Sequence, residues 1–305
     1  MFSKFTYEDA VARLNNLQSN KATIEQIRRD IRLGQKCTNI EDMQQYLFRT
    51  GISLSKLDNL SVIHVAGTKG KGSTSAMCES ILRHYGYKTG FYSSPHLVEV
   101  RERIRLNGEI ISKDKFTEHF QSVFEMLESS KAYEGDMPKY FAFLTVLAFN
   151  VFLKEKVDVA IIEVGIGGIV DYTNVLRKVS VVGVTALGLD HTSILGNTIE
   201  EIARAKAGIM KPHCNAYTVK QPPEAMVVLE RVAKETKIVT SDYAQFYLDG
   251  AHTKESMEIC VPWFMQCNSA ARGRPIIVEW ERRKAFGGLS RSVTHRYVTE
   301  RYTFS

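Results

Sequence analysis

The densest group of chemically capable residues is GTKGKGST, Gly67 to Thr74. Glycines at this density let backbone amides approach a polyphosphate, Lys71 brings a positive charge, and a helix opening at the end of the loop adds aligned N–H groups. The spacing departs from the common GxxxxGK[ST] form, because Val65 stands where the first glycine would be and Gly72 separates Lys71 from Ser73. A glycine-rich turn joining strand to helix is the plain alternative. Three further clusters follow: SSPHL (93–97), EVGIGGIVDYTN (163–174) and GLDHT (188–192). Ser93, Glu163 and His191 offer a hydroxyl, a carboxylate and an imidazole. Such a set suits magnesium, which takes few protein ligands and completes its shell with water and phosphate oxygens. Taken singly, each has an ordinary reading as a capping serine, a solvated glutamate or a loop histidine.

These residues are useful only if strands and helices bring them together. SVIHVA (61–66) is a short apolar run leading into the glycine loop, and STSAMCESILRHYG (73–86) has helical spacing through Ala76, Ile81 and Leu82. KTGFYS (88–93), VDVAIIEV (157–164), KVSVVGVTAL (178–187) and NAYTVK (215–220) read as further strands. Helices are expected over TYEDAVARLNNLQ, EDMQQYLFRTG closed by Gly51, residues 137–156 with Pro138 in the first turn, and TIEEIARAKAGIM (198–210). Near-continuous apolar strands alternating with helices predict an α/β fold, a parallel sheet flanked by helices on both faces. The clusters fall where the strands end, the usual ligand side of an open α/β sheet. Past about residue 240 the alternation stops, leaving KESMEICVPWF and an arginine-rich stretch.

At 305 residues and 44% hydrophobic content the chain has ample material for a core. No apolar run approaches the roughly 18 residues of a membrane helix. Residues 268–305 hold eight Lys or Arg against three Glu, a net +5 out of the chain's +6. The main body is therefore near neutral, which argues against nucleic acid as a partner. Five cysteines without a CxxC pair suggest neither a disulfide framework nor structural zinc, and fit a reducing compartment. An N-terminus with Glu8 and Asp9 early argues against a secretory signal and against a mitochondrial presequence, so a cytoplasmic location is expected.

Together GTKGKGST, SSPHLVEVRERIRLNG, YFAFLT, EVGIGG, GLDHTSILG, ARAKAGI and DGAHT closely resemble the folylpolyglutamate synthase family of the Mur ligase superfamily, in its eukaryotic style. The resemblance runs from residue 5 to about 240. It implies a phosphate-loop ATPase domain that uses ATP to convert a folate carboxylate into an acyl phosphate, which the amine of L-glutamate then attacks. By the same resemblance Gly67, Lys69, Gly70, Lys71 and Gly72 cradle the ATP phosphates and Ser73 closes the loop. Ser93 and Glu163 hold one Mg²⁺, and His191 holds a second together with Lys206, which the family carries as a carbamate. Unmodified, Lys206 is a helix lysine. Lys71, His191 and Lys206 are the implied catalytic set, and no residue is assigned to K⁺. Tyr140, Phe141 and Phe143 are expected to pack the core, and Asp171, Thr173 and Asn174 to support the second metal's loop. Ile169 stands where bacterial relatives often place arginine. The implied partners are tetrahydrofolate, its polyglutamates and L-glutamate, acting on a monomer.

The sequence also departs from the family. DGAHT (249–253) follows the ATPase domain almost directly, where the family has a long intervening stretch. Asp249 matches the residue that reaches ATP from the C-terminal domain, with His252 beside it. After Phe264 the family's small α/β domain is replaced by MQCNSAARGRPIIVEWERRK. The expected organisation is an ATP-binding domain over 1–240, a remnant over 241–267 carrying DGAHT, and a divergent basic tail over 268–305. Folate polyglutamylation is expected to be impaired in such a chain. The alternatives are a catalytically silent nucleotide- or folate-binding chain and a dihydrofolate synthase. A phosphate-loop kinase leaves SSPH, EVGIGG and DHT unexplained.

Overall fold

A computed structural model of the chain describes residues 5–18 and 37–238. Asp249, His252, the 241–267 remnant and the 268–305 tail lie outside the described residues.

The first helix, α1 (Tyr7–Asn16), opens with a reciprocal cap: Asp9 N donates to Thr6 Oγ1 and Thr6 N donates to Asp9 Oδ2. It buries Ala10 and Leu14. Helix α2 (Asn39–Arg49) buries Met43 and Leu47 and ends ahead of Gly51 at φ +76°, and a short α3 (Leu54–Leu57) leads into the sheet.

Seven strands form one sheet: β1 (Ser61–Ala66), β2 (Thr89–Tyr92), β3 (Ile104–Leu106), β4 (Glu109–Ile110), β5 (Val159–Glu163), β6 (Val181–Val184) and β7 (Asn215–Thr218). Their spatial order is β4-β3-β2-β5-β1-β6-β7. Strands β2, β5, β1, β6 and β7 are mutually parallel, with Val65 opposite Glu163 and Ala66 opposite Val184. The carboxyl ends that carry the glycine loop, SSPHL, EVGIGG and GLDHT therefore share one sheet edge. The all-parallel expectation is corrected at the other end of the order, where β2–β3 and β3–β4 pair antiparallel. Asn107 and Gly108, both at positive φ (52° and 81°), make the two-residue turn that lets RIRLNGEI fold back on itself.

On one face α5 (Lys113–Ser129) and α6 (Tyr140–Lys154) cover the main core, in which Phe116, Phe120, Phe143, Phe149 and Phe152 are fully buried. Helix α6 begins after Lys139 as N-cap, so Pro138 precedes the helix and does not sit in its first turn. On the other face α4 (Lys71–His84) packs over Phe91, Val159 and Ile161 through Ala76, Cys78 and Leu82. Its expected apolar stripe is also corrected. Ser75 and Glu79 are its buried residues and Ile81 is exposed, because Glu79 takes a 2.6 Å hydrogen bond from Thr89 Oγ1 on β2. After β6 come the one-turn α7 (Thr192–Leu195), α8 (Ile199–Ala207) and α9 (Pro223–Glu235), with α8 and α9 joined through Ala203, Ala225 and Val228. Helices α5 and α9 are absent from the sequence reading, although Phe116, Phe120, Val123 and Leu127 in the first and Ala225, Val228 and Leu229 in the second recur at helical spacing.

Candidate functional site

The loop after β1 is shaped by contact with the loop after β6. Thr68 N and Lys69 N both donate to Ala186 O, at 3.0 and 3.1 Å, and Thr68 Oγ1 donates to Gly188 O at 3.0 Å. Gly67 lies at φ +152°, and a Cβ there would stand 1.8 Å from Thr185 Oγ1. Gly70, at φ +84°, is the N-cap of α4 and offers no side chain to cap it. The first N–H groups of a helix have no intrahelical partner, so the amides of Lys71, Gly72 and Ser73 form a donor set at the positive end of a fourteen-residue helix. Lys71 opens the helix, whereas Lys69 belongs to the loop held on Ala186.

Glu163 ends β5 and is 5% exposed. Its Oε2 accepts from Ser94 N at 3.1 Å, and a Cβ on Gly72 would lie 3.6 Å from the same oxygen. Burial raises its carboxyl above the ordinary range, while the Ser94 amide and the charges of Lys71 and Arg103 act in the opposite direction. A buried carboxylate beside a helix N-terminus is well suited to a hard cation shared with phosphate oxygens, so the donor chemistry fits magnesium. Ser93 leaves β2 alongside, its N–H donating to Arg103 O at 3.0 Å.

Lys206, near the end of α8, is 3% exposed and donates from Nζ to Gly67 O at 2.8 Å. Burial first, and then the charge of Lys71, push its amine down to about 8, against the pull of Asp190 and Asp171. Gly168 explains how this helix comes so close: a Cβ there would meet Ala205 O at 2.6 Å, and Ile169 N donates to Ala205 O at 2.8 Å. The EVGIGG loop thus rests its backbone on the helix that carries Lys206.

His191 stands at φ +49° just before α7, its N–H donating to Asp190 Oδ1 at 2.8 Å and its Nε2 lying 3.7 Å from Asp190 Oδ2. It is tied to the rest through neighbours: Asp190 acts electrostatically on Lys206, and Gly188 is bonded to Thr68. Gly72 lies against Glu163, Lys71 acts through its charge on both Glu163 and Lys206, Lys206 bonds to Gly67 O, and Asp249 lies outside the described residues.

Asp171, Thr173 and Asn174 form the floor beneath this loop. Asp171 accepts from Ile166 N, Thr173 N and Thr173 Oγ1, at 2.9, 2.9 and 2.6 Å. Asn174 Nδ2 donates to Ile169 O and Gly208 O. His64, inside β1, meets Thr173 Oγ1 with its Nε2 at 2.9 Å. Of the aromatic trio, Phe143 is fully buried in the core as expected. Phe141 is partly buried between Tyr92 and Tyr172, and Tyr140 lies under Arg103. Sequence reading passed over His64 and Arg103. His64 is hidden in an apolar strand pattern, and the alternation of charge in RERIR reads as solvated surface.

No helix among the described residues is long and apolar enough to cross a membrane. The Mur ligase middle domain matches residues 65–256. The mitochondrial folylpolyglutamate synthase of Homo sapiens is 53% identical over 232 residues, covering 75% of this chain and 39% of that protein. A probable folylpolyglutamate synthase of Schizosaccharomyces pombe is 49% identical over 238 residues, covering 75% of this chain and 47% of that one. The chain thus spans less than half the length of these two relatives. A solved folylpolyglutamate synthase complex with AMPPCP and folate superposes with a TM-score of 0.65 at 30% identity, over 76% of this chain and 52% of that one.

Proposed function

This chain belongs to the Mur ligase family, and on that premise we propose that it carries the ATP-activating part of a ligase that adds glutamate to folate. The observation that supports this most is the convergence of the Lys71 helix end, buried Glu163 and buried Lys206 at one sheet edge. A carboxylate is a poor electrophile. In the proposed reaction an oxygen of the folate carboxylate attacks the γ-phosphorus of ATP, the bond to the β-phosphate oxygen breaks, and ADP leaves. The glutamate amine then attacks the acyl carbon, phosphate departs, and a proton is lost from nitrogen.

The loop amides and Lys71 hold the transferred phosphoryl group and offset its charge. Ser93 and Glu163, and at a second position His191 and Lys206, would hold magnesium, which would supply further neutralisation where two anions must meet. Lys206 enters that second set as a carbamate, formed when its neutral amine attacks carbon dioxide and loses a proton. An amine pushed down to about 8 provides far more of the neutral form near pH 7 than a free lysine does. Without the modification, Lys206 instead anchors the loop through Gly67 O. Asp249 is proposed to contribute to nucleotide binding.

Tetrahydrofolate, ATP, Mg²⁺ and labelled glutamate, with ADP measured and folates resolved by chain length, provide the test. Folate-dependent ADP formation that Lys71→Ala abolishes supports the activating role, and longer folates in addition show complete ligation. Nucleotide binding with no folate-dependent ADP supports a silent binding chain instead. Absence of nucleotide binding refutes both. A cytoplasmic location is the companion proposal, supported by the cysteine usage; recovery of tagged chain in purified mitochondria would refute it.

A further inference from the structure

Arg103 closes the turn Val100–Arg103 at the sheet edge of the site and is 9% exposed. Its Nε donates to His96 Nδ1 at 2.9 Å, and its guanidinium carbon lies 5.7 Å from the centroid of the Tyr140 ring. Its charge acts on Glu163, on Tyr140 and on Tyr92. Among the described residues no carboxylate lies within ion-pair distance of this guanidinium, and its two terminal nitrogens have no hydrogen-bond partner. A guanidinium stays ionised at all accessible pH, and although Arg103 is largely buried its terminal nitrogens are not among the atoms shut off from solvent, so a ligand can reach them. Four N–H donors therefore remain for an anion that is not part of this protein.

The Nε bond also settles the state of the neighbouring ring. Because His96 Nδ1 accepts, the neutral imidazole carries its proton on Nε2. Burial and the charge of Arg103 both hold His96 below its ordinary value, which keeps the ring neutral. Its Nε2–H is a further donor that no described residue takes up.

The surroundings distinguish among anions. The phosphate-binding donors lie at the start of α4, whereas Arg103 is flanked by Tyr140 and shares its loop with the exposed apolar residues Leu97 and Val98, 90% and 84% exposed. That combination suits a planar anionic group carried on an aromatic or apolar body, and a guanidinium fork matches the two oxygens of a carboxylate. We propose that Arg103, with His96 Nε2–H beside it, binds the carboxylate of the acyl-donor substrate. The inference rests on the ligase reading above.

Calorimetric titration with tetrahydrofolate, and with its analogue in which both carboxyls are amides, tests this in the presence of Mg²⁺ and AMPPCP. For Arg103→Gln we expect tetrahydrofolate affinity to fall about tenfold to a hundredfold, as for loss of a charge-assisted hydrogen bond. Binding of the neutral amide and of Mg·AMPPCP should be unchanged. His96→Phe should shift the same acid-over-amide preference by less, and it decides the matter if thermal melting shows that Arg103→Gln does not fold. Equal losses for acid and amide would mean a structural role and overturn the proposal. Loss confined to AMPPCP would assign the guanidinium to phosphate, and loss confined to free glutamate would assign it to the amine substrate; each overturns it. A wild-type chain that binds AMPPCP but not folate defeats this inference alone, and one that binds neither defeats the ligase reading.

Discussion

Lys69 and Lys71 are two positions apart yet differ in what holds them. The backbone of Lys69 is bonded to Ala186 O in the loop, whereas Lys71 opens α4 and acts electrostatically on both Glu163 and Lys206. Lys71→Ala is therefore expected to abolish nucleotide binding and Lys69→Ala to weaken it only modestly, measured with a fluorescent ATP analogue. Equal losses would contradict the proposed arrangement. His64 gives a pH prediction. Thr173 Oγ1 donates to Asp171 Oδ1, so His64 donates to Thr173 through Nε2–H, a bond that either protonation state can make. Burial, and then the charge of Lys211, push it down to about 3 from 6.5. The unfolded chain binds the additional proton between those values, so stability is full above about pH 6.5 and is lost as pH falls toward 3. At pH 5 this amounts to roughly 2 kcal/mol. His64→Gln, which can still donate to Thr173, should flatten the fall in melting temperature between pH 7 and pH 5; an unchanged slope would show that His64 is not the group responsible. The glycine loop, Glu163 and Lys206 were legible as residues from their motifs. The protonation states and the Arg103 donor set were not, because they depend on partners distant in sequence.

At the scale of elements, the two loop glycines separate a steric requirement from a conformational one. Ala at Gly67 carries the strain of φ +152° and puts a Cβ 1.8 Å from Thr185 Oγ1, which a rotamer change can move, and 3.2 Å from the Thr185 Cα, which it cannot. Ala at Gly70 meets nothing nearer than 4.0 Å and carries only the strain of φ +84°. We expect Gly67→Ala to destabilise by more than about 2 kcal/mol and Gly70→Ala by about 1 kcal/mol, measured by urea denaturation. Similar values for both would mean that the Gly67–Thr185 contact relaxes freely. Strands β1, β2, β5, β6 and β7 were readable because an apolar run bounded by turn residues has few other uses. The β3–β4 hairpin was hidden in RIRLNGEI, whose charges mask its alternation, although Asn107–Gly108 is the signal that could have found it. The buried face of α4 was misread for a related reason: Glu79 is buried by its bond to Thr89, not by hydrophobicity.

For the molecule as a whole, acyl transfer needs ATP, the folate carboxylate and the glutamate amine in contact, and such positioning is worth about 7–11 kcal/mol of barrier. This chain spans 39% and 47% of the two relatives' lengths. We expect the 305-residue polypeptide by itself to bind Mg·ATP yet to extend tetrahydrofolate far more slowly than roughly 1 s⁻¹. Diglutamate formed at that rate or faster, with labelled glutamate as the readout, would contradict this. The α/β alternation and the family were legible in consecutive residues, because strand periodicity and motif spacing are local properties. Three relations emerge only in the folded chain: Lys206 reaches Gly67 O, Gly168 lets the EVGIGG backbone rest on α8, and the charge of Arg103 acts on Glu163. These relations join residues tens to more than a hundred positions apart. Their energies come from desolvation and close approach, which exist only once the strands have been set in the order β4-β3-β2-β5-β1-β6-β7.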